Sequence, residues 1–215
     1  MNAGKKLVIG LTGHIKSGKT TVADYLKKYG FYVLNVDKFA HKLYKKGTIL
    51  YKKIIKNFGN DFLKPDLTIN RKKLSLKVFS NKKTYKKFCS LIYPYLNKEL
   101  EIKIKKLKQK IIFLDMAVLF ESGFYQRVDY IVFVSVSKNI WIKRVKNYNN
   151  FDFIERAFNY QNIFNLSKKI ALSDFIIYNN KSKRHLYYAV DKLIIKIKGY
   201  LWKKKTKNQM NRMKE

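Results

Sequence analysis

The stretch Gly13-His14-Ile15-Lys16-Ser17-Gly18-Lys19-Thr20 has the spacing G-x-x-x-x-G-K-[ST] of a phosphate-binding loop. Its two glycines let the backbone fold so that successive N–H groups point into one concavity, where they can bind phosphate oxygens. The Lys19 ammonium can then reach the β and γ phosphates, and the Thr20 hydroxyl can ligate magnesium. An apolar strand precedes the stretch and a helical pattern follows it, as this motif requires. The sequence therefore predicts a nucleotide-binding protein.

Short apolar runs alternate with helical patterns along the rest of the chain. The predicted strands are Lys6 to Leu11, Tyr32 to Val36, Ile111 to Met116, Tyr130 to Val136 and Phe175 to Tyr178. Continuous apolar runs of this kind are typical of parallel sheets that are buried on both faces. The alternation predicts an α/β protein with three layers and a mostly parallel five-stranded sheet.

The helical patterns are less regular than the strands. We predict helices over Thr20 to Tyr29, Phe39 to Phe58 with a break near Gly47, Arg71 to Lys110 with an interruption around Pro94, Trp141 to Lys146, Phe153 to Phe164, and Ser182 to about Trp202. Pro65 to Asn70 is predicted to be a loop. The basic segment 203–215 is predicted to be a disordered tail because it is too polar to pack.

The formal charge of +34 would by itself favour a nucleic acid or an anionic membrane as partner. However, 42 of the 48 basic residues are lysine, whereas phosphate and base recognition relies on arginine. A genome rich in A and T explains this lysine content equally well, so we expect neither a specific nucleic acid nor a membrane as partner. The single cysteine, Cys89, excludes an internal disulfide, and no signal peptide or long apolar run is evident. We therefore expect a cytoplasmic protein.

Two aspartates follow predicted strands, at the sheet edge where α/β proteins bind ligands. Asp37 could accept a proton from an acceptor hydroxyl or help to hold a metal, and it could also cap a helix. Asp115 could lie near magnesium or simply belong to a turn. The segment Asn180 to Lys183 resembles the guanine-reading N-K-x-D motif, but lysine replaces its aspartate, which argues against a GTPase.

Beyond the loop, the chain resembles the dephospho-CoA kinase family over most of residues 7 to 190. Six segments carry the resemblance. Gly10 to Ala23 matches G-L-T-G-x-I-x-S-G-K-[ST]-T-V-A, Phe58-Gly59 matches the family's FG, and Arg71 to Phe79 follows its R-x-x-L-x-x-x-V-F. Asn35 to Asp37 keeps only the second carboxylate of its D-A-D, while Asp115 to Glu121 resembles its D-x-P-L-L-F-E and Ser173 to Asn179 its A-D-x-V-I-x-N. The implied reaction moves the γ-phosphoryl group of ATP to the 3′-hydroxyl of dephospho-CoA.

The resemblance implies a role for each matched residue. It assigns catalysis to Asp37, Lys19 and Arg144, and metal binding to Thr20 and Asp115. It assigns ATP binding to Gly13, His14, Ile15, Lys16, Ser17, Gly18, Lys19, Thr20, Thr21 and Asn179, and acceptor binding to Asp37, Arg71, Leu119 and Glu121. ATP and Mg²⁺ are the implied cofactors, and the expected partners are small molecules, with the protein a monomer or a weak homo-oligomer.

The resemblance also implies a single domain over residues 1–202. Its parts are a core (1–59, 111–137 and 169–202), a helical CoA-binding region (about 60–110) and a lid (about 138–168).

The chain departs from the family pattern at several positions. His14 and Lys16 replace glycines, His41 and Tyr148 replace arginines, Tyr93 replaces a histidine and Ala117 replaces a proline, while Arg144 and Arg156 of the lid remain. A neutral phenol at position 148 cannot supply a guanidinium's charge in the transition state, unless Lys146 or a neighbour substitutes. The alternatives are another nucleoside or nucleotide kinase, a non-catalytic ATP-binding switch, and a basic nucleic-acid-binding protein with a vestigial nucleotide site.

Overall fold

The computed structural model describes residues 6–146 and 165–212, with side chains described through residue 199. Its strands are β1 (Leu7–Gly13), β2 (Tyr32–Asn35), β3 (Ile111–Asp115), β4 (Tyr130–Ser135) and β5 (Phe175–Tyr178). They pair in parallel in the order β2-β3-β1-β4-β5, which confirms the predicted α/β class and places β1 at the centre of the sheet. Every residue of β1 is buried, because helices cover both faces of the sheet.

Alternate residues of the strands feed two separate cores. Ile9 and Leu11 of β1 pack against α1 (Lys19–Lys28) and α8 (Lys183–Arg212) on one face. Val8 points to the other face, which α2 (Val36–Leu43), α3 (Ile49–Phe58), α4 (Arg71–Val78) and α5 (Lys82–Lys106) cover. Burying each such Ile, Leu or Val side chain contributes about 1.5–3 kcal/mol, so the two cores fix β1 firmly.

The helices over the second face differ from the prediction at one point. The predicted break near Gly47 and the loop at Pro65–Asn70 are confirmed, but the interruption expected at Pro94 lies instead at residues 79–81. Pro94 lies inside α5 and removes one N–H donor from the helix. The helix continues because Cys89, Ile92 and Leu96 are buried around the proline and hold it against the core.

The C-terminal third adds α6 (Lys138–Val145), α7 (Leu166–Ala171) and α8. The predicted helix at 153–164 lies outside the described residues. The disorder predicted for the tail is contradicted for residues 203–212, where α8 continues to Arg212. Lysine, glutamine and methionine are good helix formers. Among the described residues, no helix is both long and apolar enough to cross a membrane.

Candidate active site

The phosphate-binding loop joins the end of β1 to the start of α1, and its two glycines leave no room for a side chain. A Cβ on Gly13 would lie 2.4 Å from the Val134 carbonyl oxygen. Gly18 caps α1 with a left-handed φ of 97°, and a Cβ there would lie 2.1 Å from Asn179 Nδ2. Only glycine therefore fits at either position, which gives a physical reason for both glycines of the motif.

The same loop contains a residue in an unfavourable conformation. Lys16 has a φ of 62°, in the left-handed region that costs a residue with a Cβ about 1–2 kcal/mol. This is one of the positions where the family pattern has glycine. The loop therefore keeps the backbone shape that a glycine would adopt freely, and the rest of the protein must hold Lys16 in it.

Side chains from outside the loop bind its carbonyl oxygens. Trp141 Nε1 donates to Ile15 O at 2.8 Å, and Arg144 Nη1 donates to Ser17 O at 3.3 Å. Asn179 Nδ2 donates to Ser17 O at 2.7 Å and, through its own carbonyl, accepts from Arg144 Nη2 at 2.9 Å. We call these three side chains, Trp141, Arg144 and Asn179, the clasp. In a trans peptide the C=O of one residue and the N–H of the following residue point in opposite directions. The N–H groups of residues 16 and 18 therefore face away from the clasp.

The sequence predicts Arg144 and Asn179 at the site, and the structure places both side chains at the loop. Both side chains donate hydrogen bonds to a carbonyl oxygen of the loop, that of Ser17. Trp141 was missed, because its position in α6 carries no motif and only the tertiary fold brings the indole to the loop. Of the other lid residues named from the sequence, Tyr148 and Arg156 lie outside the described residues.

A chain of polar contacts crosses the carboxyl ends of β1, β3 and the edge strand β2. Lys19 forms an ion pair with Asp115 at the end of β3. Asn35 Nδ2, at the end of β2, donates to the other oxygen of Asp115 at 3.2 Å. Asn35 Oδ1 also accepts from Lys38 N at 2.7 Å and so caps α2. The helix cap is thus Asn35, and the side chain of Asp37 is not used for capping.

Asp37 lies in the first turn of α2 and lines a cleft of about 790 Å³ together with Lys19 and Thr20. Its enclosure by the walls raises the pKa of Asp37 above the ordinary value; the nearby Lys19 ammonium partly lowers it and Asp115 raises it. A carboxylate with a raised pKa is a stronger base, which suits proton acceptance from a hydroxyl.

Two further cavities adjoin the cleft on the side away from the loop. One, of about 190 Å³, is apolar, and the aromatic rings of Tyr44, Phe79, Tyr85 and Phe88 contribute to its lining. The other, of about 690 Å³, is lined by Arg71 and several lysines. Arg71 Nη1 contacts His41 Nδ1 at 2.9 Å, and burial together with this guanidinium lowers the pKa of His41. The structure therefore places Asp37 where the phosphate-binding loop meets the apolar cavity, and His41, four residues later in α2, lines the cationic cavity.

Leu119 and Glu121 lie away from the cleft surface, and their predicted contacts with an acceptor remain predictions. Leu119 is fully buried, and its Cδ2 lies so close to Gly10 that a Cβ there would be 2.6 Å away. The buried Glu121 carboxylate pairs with Lys169 Nζ of α7 at 2.7 Å, and its second oxygen has no hydrogen-bond partner in the described part of the chain. Burial, and to a smaller extent the charge of Lys169, lower the pKa of the loop residue His14 to about 4, so that its ring is neutral near pH 7.

The donor atoms near Lys19 fit a magnesium ion. The Thr20 hydroxyl lines the cleft, and the Asp115 carboxylate is paired with Lys19 at its edge; both are the hard oxygen ligands that magnesium prefers. No group of three histidine, cysteine, aspartate or glutamate side chains able to hold a metal occurs in residues 6–146 and 165–199. Magnesium in phosphotransferases needs only one or two such ligands, because water and substrate phosphates supply the rest.

Fold and site together define a P-loop kinase. The phosphate-binding loop lies at the carboxyl edge of a parallel sheet, and the carboxylate of Asp37 lines the same cleft as the loop. The shikimate kinase of Bacteroides thetaiotaomicron shares the fold, with a TM-score of 0.51 over 89% of this chain and 98% of that chain at 13% sequence identity.

More similar proteins identify the family within this class. The family model for dephospho-CoA kinase matches residues 7–185. The dephospho-CoA kinase of Aquifex aeolicus (strain VF5) is 34% identical over 190 residues, which are 86% of this chain and 94% of that protein. The structure of the dephospho-CoA kinase from Campylobacter jejuni superposes with a TM-score of 0.65 over 90% of this chain and 98% of that chain, at 26% identity. The chain belongs to the dephospho-CoA kinase family, which confirms the resemblance found in the sequence.

Proposed function

We propose that the protein transfers the γ-phosphoryl group of ATP to the 3′-hydroxyl of dephospho-CoA, with Mg²⁺ as the metal. The observation that carries this proposal is the position of Asp37. Its carboxylate lines the same cleft as Lys19 and Thr20, and it also lines the apolar cavity on the acceptor side. An acceptor bound there would have its hydroxyl between a base and the phosphate-binding loop.

Each residue of the cleft then has a chemical task. Lys19 and the N–H groups of the loop bind the phosphates and stabilise the charge that develops on the transferred group. Asp37 accepts the proton of the attacking hydroxyl. Thr20 and Asp115 would hold magnesium, which would supply positive charge to neutralise the phosphates. Because Lys19 pairs with Asp115 in this structure, its ammonium must exchange part of that contact for phosphate oxygens when ATP binds.

The chemistry of the acceptor fits the two adjoining cavities. Dephospho-CoA combines an adenosine and an apolar-stemmed pantetheine arm with a diphosphate between them. A site for it needs both apolar and cationic surface beside the base, and the cavities next to Asp37 provide one of each. A cytoplasmic location, expected from the sequence, remains a prediction.

The test is a direct assay of the purified protein with ATP, magnesium and dephospho-CoA, following the 3′-phosphorylated product. We expect coenzyme A to form, and to be lost in both Lys19→Ala and Asp37→Asn. ATP binding without any product would contradict the proposed acceptor, and a screen of nucleosides and nucleotides would then show whether a different hydroxyl is phosphorylated.

A further inference from the structure

Asn35 lies at the end of β2 and uses both ends of its side-chain amide. Its Nδ2 donates to an oxygen of Asp115 at 3.2 Å, and its Oδ1 accepts from Lys38 N at 2.7 Å. The first contact reaches the carboxylate that suits magnesium, and the second caps the helix that carries Asp37. Asn35 is not among the described residues that line the cleft or the two adjoining cavities. Its effect on the reaction therefore passes through these neighbours.

The contact with Asp115 is built into the sheet. Asn35 and Asp115 are register partners on the parallel strands β2 and β3, so their side chains leave the sheet on the same face. Asp115 is buried, and its other oxygen pairs with Lys19. Each oxygen of the carboxylate therefore has a donor, which fixes its orientation. Partners that orient a metal-binding side chain in this way typically contribute about 10–100-fold to metal affinity or activity.

The helix cap holds Asp37 in a comparable way. The bond from Lys38 N to Asn35 Oδ1 closes a short ring of backbone, and Asp37 lies inside that ring. The cap fixes the point at which α2 begins, and the base lies in the first turn after it. The direction of the Asp37 carboxylate therefore depends on the same amide that orients Asp115.

The family pattern has an aspartate where this chain has Asn35, and the difference has a physical consequence. A carboxylate could still cap α2, but it has no proton to donate to Asp115 at neutral pH. Two carboxylates in register would also repel each other unless a cation lay between them. The asparagine holds Asp115 without needing that cation.

We propose that Asn35 is a positioning residue for phosphoryl transfer, and that its one amide group fixes Asp115 and Asp37 relative to each other. The inference rests on the proposed function for the roles of those two carboxylates. It goes beyond that function in giving a task to a residue that touches neither substrate.

Two substitutions separate the two ends of the amide, and a third is the control. Asn35→Ser keeps an oxygen that can cap α2 but removes the amide donor, whereas Asn35→Asp keeps the cap and puts a charge in place of the donor. The control is Asn81→Ala. Asn81 caps α5 in the same way, by accepting from Thr84 N at 2.8 Å, but its Nδ2 donates to the Ser80 hydroxyl at 3.2 Å.

The first measurement compares turnover with stability. Asn35→Ser and Asn81→Ala should each lower Tm by about 2–4 °C, the first by losing the hydrogen bond to Asp115 and the second by losing a cap. Only Asn35→Ser should lower kcat, by about tenfold, with KM for ATP and for dephospho-CoA within about twofold of wild type. An unchanged kcat in Asn35→Ser, or an equal loss of kcat in Asn81→Ala, would overturn the proposal.

Magnesium provides a second readout that does not depend on turnover. Without nucleotide or metal, Asn35→Asp should have a lower Tm than wild type at pH 7, because two carboxylates then face each other. Addition of magnesium should raise the Tm of Asn35→Asp by about 2–4 °C more than that of wild type, because the ion can bind between them. Equal magnesium shifts in the two proteins would overturn the proposed hold on Asp115.

The failure of the two proposals can be told apart. If the wild type makes coenzyme A and Asn35→Ser keeps its full kcat, the positioning role falls and the proposed function stands. If the wild type makes no product from dephospho-CoA but Asn35→Asp shows the additional magnesium shift, the proposed function falls and the hold of Asn35 on Asp115 stands.

Discussion

The two walls of the cleft are built in different ways. The donor wall is one continuous stretch, residues 13–20, whose carbonyl oxygens are held by Trp141, Arg144 and Asn179. The acceptor wall is assembled from α2, the loop before α4, and α5, and it contains open cavities where the donor wall contains fixed peptide groups. Phosphate transfer needs a rigid cradle for a group common to many enzymes, whereas acceptor choice needs a surface that is particular to one enzyme.

The sharpest way to break the donor wall is Lys19→Ala. We expect kcat to fall at least about 10³-fold, because the ammonium is removed from the transferred group, and the Asp115 carboxylate is left without its cationic partner. Steady-state kinetics with saturating dephospho-CoA measures this loss. Lys28→Ala, an exposed change of the same charge at the end of α1, should leave kcat unchanged. A comparable loss in both variants would mean that charge in general, rather than this lysine, supports turnover.

On the acceptor wall the corresponding change is Asp37→Asn. Loss of the base should lower kcat about 10²–10³-fold. The wild-type kcat/KM should also fall at low pH, because protonated Asp37 cannot act as a base. The apparent pKa of this acidic limb should lie above the ordinary aspartate value of 3.8, because burial raises the pKa of Asp37. A limb at or below 3.8 would contradict this placement.

The same substitution should make the folded protein more stable. A carboxyl whose pKa is raised in the folded state binds its proton more tightly there than in the unfolded chain. Its ionisation therefore destabilises the fold as pH rises from the unfolded pKa of 3.8 through the raised pKa of the folded state. Asp37→Asn should therefore raise Tm at pH 7, with the gain vanishing below pH 3.8. Asp24→Asn, at an exposed carboxylate of α1, is the control and should show no such gain.

The two walls also differ in how much of their structure could be predicted from the sequence. The strands, the loop and its glycines follow from local patterns, because each depends on residues adjacent in the chain. The roles of Asn35 and Trp141 could not be predicted in this way: Asn35 reaches Asp115 across 80 positions and Trp141 reaches Ile15 across 126. The break expected at Pro94 failed for a similar reason, since burial on both sides of the proline overrides its local effect.

Glu121 tests whether a predicted binding residue belongs to either wall. Because its carboxylate and Lys169 form a buried ion pair, Glu121→Gln would leave a buried ammonium without its counter-charge and should lower the free energy of unfolding by about 3 kcal/mol. Urea denaturation measures this. Glu101→Gln, which breaks the exposed pair with Arg127, should cost less than about 1 kcal/mol. A large rise in KM for the acceptor with unchanged stability would instead place Glu121 in the binding site.

The hydrogen bonds that fix the donor wall can be weakened without removing a group that binds phosphate. Trp141→Phe keeps an aromatic ring among Val136 and Val145 but removes the Nε1 donor to Ile15 O. One lost hydrogen bond is worth about 0.5–1.5 kcal/mol, so we expect KM for ATP to rise between about twofold and tenfold. KM for dephospho-CoA should be unchanged, because the hydrogen bond that is lost goes to the donor wall. Equal changes in both constants would mean that Trp141 supports the whole cleft.

The smallest expected effect comes from relieving strain within the donor loop itself. Lys16→Gly removes a left-handed conformation that costs about 1–2 kcal/mol, but glycine also makes the unfolded chain freer by about 0.5–1 kcal/mol. The difference predicts a gain of about 0 to 1.5 kcal/mol, or a rise in Tm of up to about 6 °C for a chain of this size. Lys28→Gly in the last turn of α1 carries the same charge change and entropy cost without the strain, and should lower Tm. If the two variants lose stability equally, the Lys16 side chain contributes at least as much to the fold as its backbone strain costs. A gain only in Lys16→Gly would show that the loop shape is imposed on this residue by its surroundings, as the clasp from α6 and Asn179 implies.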